Sequence, residues 1–458
     1  MARQGWTLRG RIAVRHVIPE LGDTYGAVSP LSGMRVRIEA RERIAGVWGS
    51  WNKWQDILLR DEDGRFEASK IKSDNRRRFR VKLLFKNSDL VIYGANRTLM
   101  RQASRLLRMA VLGGPVKELL VDQVLQHFTR LPYQPDWHIL HVDRMRNGRR
   151  AGVIDLGDLV FEAGGANDLG DRIARRQADI WFLYRKVMAL LAGFGPEFAF
   201  RKKVAVKYPH NNPLLADDIE VSYANPINHL VYMVENSVHD DYEIAYLLHE
   251  LMHIWTYQNS RREKGMAWQL IVHGDTHNMQ ERTWVAFHEG FAEYCYRELY
   301  RELFGRNPTA VGGATEFLAL PYSRAQLRRY GIDTIEDVDH HENGWMSLLH
   351  LLSTPRITGF TFNGNGQYVT RARFRPDPRA VCDDPSMSFA GVLRLCLSDS
   401  ADGSPRQLRR SEMTLERFLD RAEAVAPGFD GTARAAVLSL LDPAAATQPR
   451  DLLCRRRR

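Results

Sequence analysis

The sequence predicts a multidomain protein: an N-terminal β-sandwich followed by an α+β domain whose C-terminal part is mostly helical. Three observations lead there. The first 95 residues read as short alternating strands broken by Gly, Pro, Asn and Asp, and the stretch from residue 169 sets a helix and two strands before a well-buried helix. From about Ala314 onward, apolar residues recur at helical intervals. At 458 residues the chain is also longer than the roughly 250–300 that a single core sustains, so several domains are expected.

Composition narrows the class. Hydrophobic residues at 44% and charged residues at 26% fit an ordinary globular chain and argue against a collagenous or wholly disordered one. Every apolar run is broken by charge well short of the roughly 18–20 residues that cross a bilayer, so no membrane span is expected. The opening MARQGWTLRGRIAVRHV alternates apolar and polar residues where a signal peptide needs a continuous apolar segment. The expectation is a cytoplasmic protein, or one exported without a classical signal peptide. Four cysteines (Cys295, Cys382, Cys396, Cys454), with no C-x-x-C pair, give neither a disulfide framework nor a thiolate metal site and favour a reducing compartment. The net charge of +10 arises from 65 basic and 55 acidic residues spread along the whole chain, which argues against nucleic acid as a partner. Oligomeric state is not legible.

The elements follow in order. Trp6–Val14, Met34–Ala40, Arg78–Phe85 and Leu90–Tyr93 read as strands of the sandwich, assigned to residues 1–95. The turn at Ser32-Gly33 before Met34, followed by DEDGRF at Asp61–Phe66, resembles the transthyretin-like, carboxypeptidase-regulatory-like modules attached to secreted and surface enzymes. Residues 96–168 are read as a basic helical linker: Leu99, Leu106, Leu107, Met109 and Leu112 interleave with Arg101, Arg105 and Arg108, and no aromatic residues accompany the arginines. The loop Arg144–Gly152 and the glycine-rich Glu162–Asp168 mark the boundary. Residues 169–310 form the α+β subdomain, with a helix over Asp179–Gly195 and strands at Lys203–Tyr208 and Asn228–Glu235. Residues 311–445 are mainly helical (GWMSLLHLL, FAGVLRLCL, LERFLDRAEAV) with a hairpin at Gly359–Val369, and 446–458 form a basic tail.

The chemistry concentrates at His249-Glu250-Leu251-Met252-His253, inside the apolar stretch YEIAYLLHELMHIWTY. Asp240 and Glu243 suggest a capping box at the start of this helix. The i, i+4 spacing puts both imidazoles on one face, where two nitrogens converge on one tetrahedral ion. Glu250, beside them and not between them, is placed to take a proton from water as a general base. With 15 histidines and 55 acidic residues, an H-E-x-x-H pattern is expected by chance about 0.06 times. Burying His, Glu and His in an otherwise apolar helix costs several kcal/mol unless an ion or other partners compensate.

Downstream, TWVAFHEGFAEYCYRELY reads as a second helix carrying Glu289 and Glu293 one turn apart. Gly290 costs this helix about 1 kcal/mol, which suggests close approach of the two helices. Here the sequence resembles the gluzincin metallopeptidases, in which H-E-x-x-H precedes a helix with an E-G-F-A-E type segment. That resemblance implies a zincin-type catalytic domain and a Zn2+ cofactor held by His249, His253 and Glu289. It also implies Glu293 as a carboxylate that orients a ligand histidine. An i, i+4 ion pair of Glu293 with Arg297 is the alternative, and exchange of roles between Glu289 and Glu293 stays open. The 35 residues between His253 and Glu289 exceed the usual gluzincin spacing and suggest an insertion. It holds His273, Asp275 and His277, read as loop residues near the cleft with a second metal site as the alternative. His288 is read as pointing elsewhere on the helix.

An oxyanion donor is also needed. The candidates are Tyr330, His340, His341 and His350. His341 is preferred because His341-Glu342-Asn343-Gly344 opens an apolar helix and resembles donor segments of gluzincin branches; a loop that merely caps that helix is the alternative. The expected function is hydrolysis of peptide or protein substrates, more in the manner of an endopeptidase than an aminopeptidase. A catalytically silent zinc-stapled scaffold and a basic nucleic-acid-binding module are the competing classes.

Overall fold

In the first eighty residues, apolar side chains alternate with charged ones over runs of seven to ten, the period at which one face of a sheet is buried. The structure is a computed structural model describing residues 6–16, 21, 28–59, 62–71, 77–94, 137–146, 152–162, 169–209, 222–233, 240–259, 283–305, 324–353, 356–357, 382–383, 387–397, 414–426 and 429–441. The chain divides into two compact units. The first takes Met1–Val187, Lys202–Tyr223 and His229–Glu243, and the second Met188–Arg201, Ala224–Asn228 and Ile244–Arg458.

The strands of the first unit are β1 (Trp6–Arg15), β2 (Val28–Pro30), β3 (Arg35–Ile44), β4 (Val47–Trp48), β5 (Asn52–Leu58), β6 (Arg65–Ile71), β7 (Arg77–Leu84), β8 (Leu90–Tyr93), β9 (His138–Arg146), β10 (Gly152–Phe161) and β11 (Val204–Lys207). After them come β12 (Tyr223–Asn225), which spans the division, and β13 (Leu230–Tyr232). One sheet has β1 at its centre, antiparallel to β2 and β6 and parallel to β10. A second sheet runs β4-β3-β7-β9, with β5 also on β3. Val36, Ile38 and Ala40 of β3 and Phe79, Val81 and Leu83 of β7 are buried, as period-two alternation requires. The glycine at the DEDGRF turn is needed: Gly64 has φ of 73°, and a Cβ there would collide with the Ile12 carbonyl and lie 3.0 Å from the Leu31 carbonyl.

Three boundaries differ from the sequence reading. Within the expected helical linker 96–168, residues 138–146 and 152–161 are strands, paired with β7 and β1. GVIDLGDLVF buries Ile154, Leu156, Leu159 and Phe161 while its acids face outward, so alternation was present but masked by Gly and Asp. Arg9–Asp155 at 2.8 Å, Arg11–Asp158 at 3.3 Å and Arg15–Glu162 at 3.4 Å line the exposed side of that parallel pair. Second, β8 leaves the first 95 residues' sheets and pairs parallel with β11, which pairs parallel with β13. Leu90, Val91 and Ile92 are all buried, the mark of a strand covered on both faces. Third, the helix expected from Asp179 begins at Leu169 (α1, Leu169–Phe194). Its early turns are polar yet buried: Gln177 Nε2 donates to the Tyr208 carbonyl at 2.8 Å, and Asp179 Oδ1 lies 2.6 Å from His16 Nδ1. Those partners come from distant segments, so local hydrophobic period could not reveal them. The expected linker helices at 97–127, the hairpin at 359–369 and the tail at 446–458 lie outside the described residues.

The second unit is helical: α2 (Asp240–Asn259, from Ile244), α3 (Thr283–Phe304), α4 (Arg324–Arg329), α5 (Glu342–Leu352), α6 (Phe389–Cys396), α7 (Leu415–Val425) and α8 (Gly431–Leu441). A two-residue antiparallel pair, β14 (Arg356–Ile357) with β15 (Cys382–Asp383), joins them. Phe287, Trp345 and Phe418 meet at centroid distances of 5.0, 5.8 and 5.5 Å and tie α3, α5 and α7 together. Trp255 Nε1 donates to the Phe198 carbonyl at 2.7 Å and anchors α2. Among the described residues no helix is long and apolar enough to cross a membrane, as expected.

The hairpin joining β3 to β4 turns through Ala45 (φ 49°) and Gly46 (φ 84°), both left-handed, as in a type I′ turn. Asn is favoured at the first of these positions and Ala is strained there. Ala45→Asn is expected to stabilise the protein by about 0.5–1 kcal/mol, read as an upward shift in thermal midpoint; an unchanged or lower midpoint would contradict the turn assignment.

Candidate metal centre

Two helices build the site. On α2, Leu247, Leu248, Leu251, Met252, Ile254 and Trp255 are fully buried, so the turns carrying His249 and His253 are held inside the unit. On α3, Phe287, Phe291, Ala292 and Tyr294 do the same for the turn carrying Glu289. His249, Glu250, His253 and Glu289 are themselves buried.

The i, i+4 spacing brings His249 Nε2 to 2.9 Å from His253 Nε2, with the ring planes at 82°. Glu289 Oε2 from α3 closes the triangle at 3.4 Å from His249 Nε2 and 3.2 Å from His253 Nε2. These are three ligand atoms of the kinds zinc takes, gathered around one point. A tetrahedral ion with bonds of about 2.0–2.1 Å separates its ligand atoms by roughly 3.3–3.4 Å. Both carboxylate contacts match that spacing, and the slightly tighter imidazole pair needs only a small opening. The residues present therefore fit a zinc-type dication.

Behind the triangle, Glu293 Oε1 lies 3.1 Å from His249 Nδ1, and Glu293 Oε2 lies 3.7 Å from Arg297. Glu293 thus faces both groups named for it from sequence, turning one carboxylate oxygen to the His249 imidazole and the other to the Arg297 guanidinium. It faces the far nitrogen of His249, outside the three-atom cluster, and the carboxylate within that cluster is that of Glu289. Burial pulls the His249 pKa down, but Glu289, Glu293 and Glu250 together outweigh it and hold the imidazole well above its ordinary range.

His288 departs from the expectation. Its ring centroid lies 6.5 Å from that of His253, packed at 6.1 Å from Trp284 and 5.9 Å from Phe287, so it borders the cluster. Tyr296, 6.4 Å from His249 and covered by Arg297, borders it on the other side and was not singled out from sequence. Its signal was available: it follows Glu289 by seven residues, two helical turns on the same face.

Gly290 also acts differently from expectation. A Cβ there would collide with the Glu342 carbonyl and lie 2.6 Å from Trp345 Cβ. The close approach it permits is of α3 to α5, and not to the helix bearing His249.

His341 is not one of the three converging groups. It sits at the start of α5 with extended backbone (φ −130°, ψ 129°), and its side chain makes no capping bond to that helix. Its ring lies against Gly331, and burial lowers its pKa, with Asp337 opposing and His340 adding to the fall. Neither Tyr330, His340 nor His350 belongs to the cluster. The capping pair Asp240 and Glu243 falls outside the described side chains, and His273, Asp275 and His277 fall outside the described residues. No protein-family model, curated protein or solved structure matches this chain.

Glu289→Ala is expected to abolish stoichiometric zinc retention through dialysis, whereas Glu293→Ala should weaken it by about 10–100-fold. Equal losses in metal analysis of the two variants would remove the distinction drawn between them. Gly290→Ala should cost roughly 1–3 kcal/mol by overpacking; a thermal midpoint equal to that of the parent would show that α3 and α5 are not in contact there.

Proposed function

We propose that this chain is a zinc-dependent peptidase of gluzincin type, acting on peptide or protein substrates and more as an endopeptidase than as an aminopeptidase. One observation carries the reading: two imidazole nitrogens and a carboxylate oxygen lie within 2.9–3.4 Å of one another, with Glu250 adjacent on the same helix. The resemblance of H-E-x-x-H and E-G-F-A-E to gluzincin motifs supports it.

His249, His253 and Glu289 would hold the ion and leave a fourth position open. Zinc bound there supplies Lewis acidity, which acidifies water and polarises a carbonyl. The remaining work falls to side chains. Glu250 is buried and shares the helix of both imidazoles, so its carboxylate accepts a proton from water and returns it to the leaving amine. Glu293 orients His249 through Nδ1, which keeps Nε2 directed at the cluster. We assign the oxyanion contact to His341, whose helix packs on the one bearing Glu289 and whose side chain has no capping duty.

A structural zinc staple has no use for Glu250, and this separates the two classes. Glu250→Gln is expected to bind zinc as the parent does and to lose at least about 100-fold in cleavage of a casein or mixed-peptide substrate. Parent cleavage should also vanish with chelator and return with zinc. Zinc-loaded parent protein that cleaves nothing would sink the peptidase reading, and full activity in Glu250→Gln would sink the role given to that residue.

A further inference from the structure

The β3-β4 hairpin carries the two most exposed large aliphatic side chains among the described residues, Ile44 at 64% and Val47 at 71%. They face each other across the strand pair, one on each side of the Ala45-Gly46 turn, and form an apolar tip. Immediately behind it stands a collar of arginine and tryptophan. Arg41 lies over Trp48 and Trp51 at 5.5 and 4.6 Å, Arg78 over Trp48 at 4.7 Å, and Arg80 over Trp51 at 4.5 Å. Arg77 lies over Trp54 at 5.1 Å. In the last register steps before the turn, Arg41, Arg43, Arg77 and Arg78 stand with one acid, Glu42, which pairs with Arg77. Further back, two acids stand among four bases: Glu39 lies 3.2 Å from Lys82 and also pairs with Arg80, and Asp56 lies 2.7 Å from Arg37 and 3.4 Å from Lys53. Bases therefore outnumber acids along this face, by four to one beside the turn and by four to two further back.

We propose that this hairpin is a membrane-docking wedge that inserts Ile44 and Val47 into the surface of an anionic phospholipid bilayer. Three features select that occupant. Aliphatic side chains at a tip gain by leaving water for the acyl boundary, and Trp and Arg are the side chains suited to the headgroup layer around them. The exposed Arg43 and the excess of bases beside the turn complement anionic headgroups. A protein partner needs roughly 800 Å² of surface on each side, far more than a two-residue tip provides, whereas a bilayer accepts a small wedge. Single-stranded nucleic acid would use open tryptophan faces for stacking, but here guanidinium groups cover faces of Trp48 and Trp51, and base stacking gives no role to Ile44 and Val47. The docking is independent of the metal centre.

The test is co-sedimentation of the full chain with vesicles of phosphatidylcholine and phosphatidylserine at about 7:3, beside pure phosphatidylcholine vesicles and a fluorescent single-stranded oligonucleotide. Binding is expected to the mixed vesicles alone, falling several-fold between about 0.1 and 0.5 M salt as headgroup attraction is screened. Ile44→Ser with Val47→Ser should lower it roughly tenfold, while Ile44→Leu with Val47→Leu retains it. Both pairs sit on exposed positions, and their thermal midpoints report that folding is unchanged. No binding to mixed vesicles, equal binding by the Ser and Leu pairs, or binding to the oligonucleotide alone would each overturn the proposal.

Discussion

The second unit is organised around the cost of burying ionisable groups in an apolar helix pair. His249, Glu250, His253, Glu289 and Arg297 are all buried, among neighbours that are largely Leu, Ile, Phe, Trp and Tyr. Taken singly, each such group would cost several kcal/mol. His249, His253 and Glu289 offset one another, but only while their separations stay near 3 Å, which ties the register of α3 to that of α2. The contact at Gly290 then sets where α5 packs, because a helix that approaches so closely at residue 290 cannot slide without meeting a side chain at 289 or 291. One polar cluster thus constrains three helices.

The parts of this arrangement legible in the sequence were those fixed by local period. The i, i+4 histidines, and Glu289 and Glu293 stacked one turn apart, follow from helix geometry once the surrounding residues are seen to be apolar. The helix at Thr283–Phe304 and the one at Glu342–Leu352 were visible for the same reason. Non-local pairing was not legible. Gly290 announces a close approach but does not say to what, and only the fold identifies Glu342 and Trp345 as the other side. The strand Gly152–Phe161 was hidden because its exposed face holds Asp155 and Asp158, whose basic partners lie almost 150 residues earlier. The tryptophan and arginine collar was missed because its rows come from β3, β4, β5 with the residue before it, and β7, and cross-strand neighbours have no fixed spacing in sequence.

The two contacts of Glu293 are linked through its carboxylate. Its Oε2 lies 3.7 Å from the Arg297 guanidinium. An ionised Glu293 facing His249 Nδ1 at 3.1 Å favours a proton on that nitrogen. On the neutral ring the lone pair is then confined to Nε2, the atom that lies 3.4 Å from Glu289 and 2.9 Å from His253. A histidine without such a neighbour divides its proton between two tautomers, only one of which presents a lone pair to the cluster. Arg297 stands two steps away, through a carboxylate and an imidazole, from the nitrogen of His249 that is available to a ligand. The helical period supplies both links of that chain: residues 289, 293 and 297 are successive i, i+4 positions on one face of α3, so the residue that would bind the ion, the one that orients its neighbour and the one that faces that carboxylate are stacked along a single helix edge.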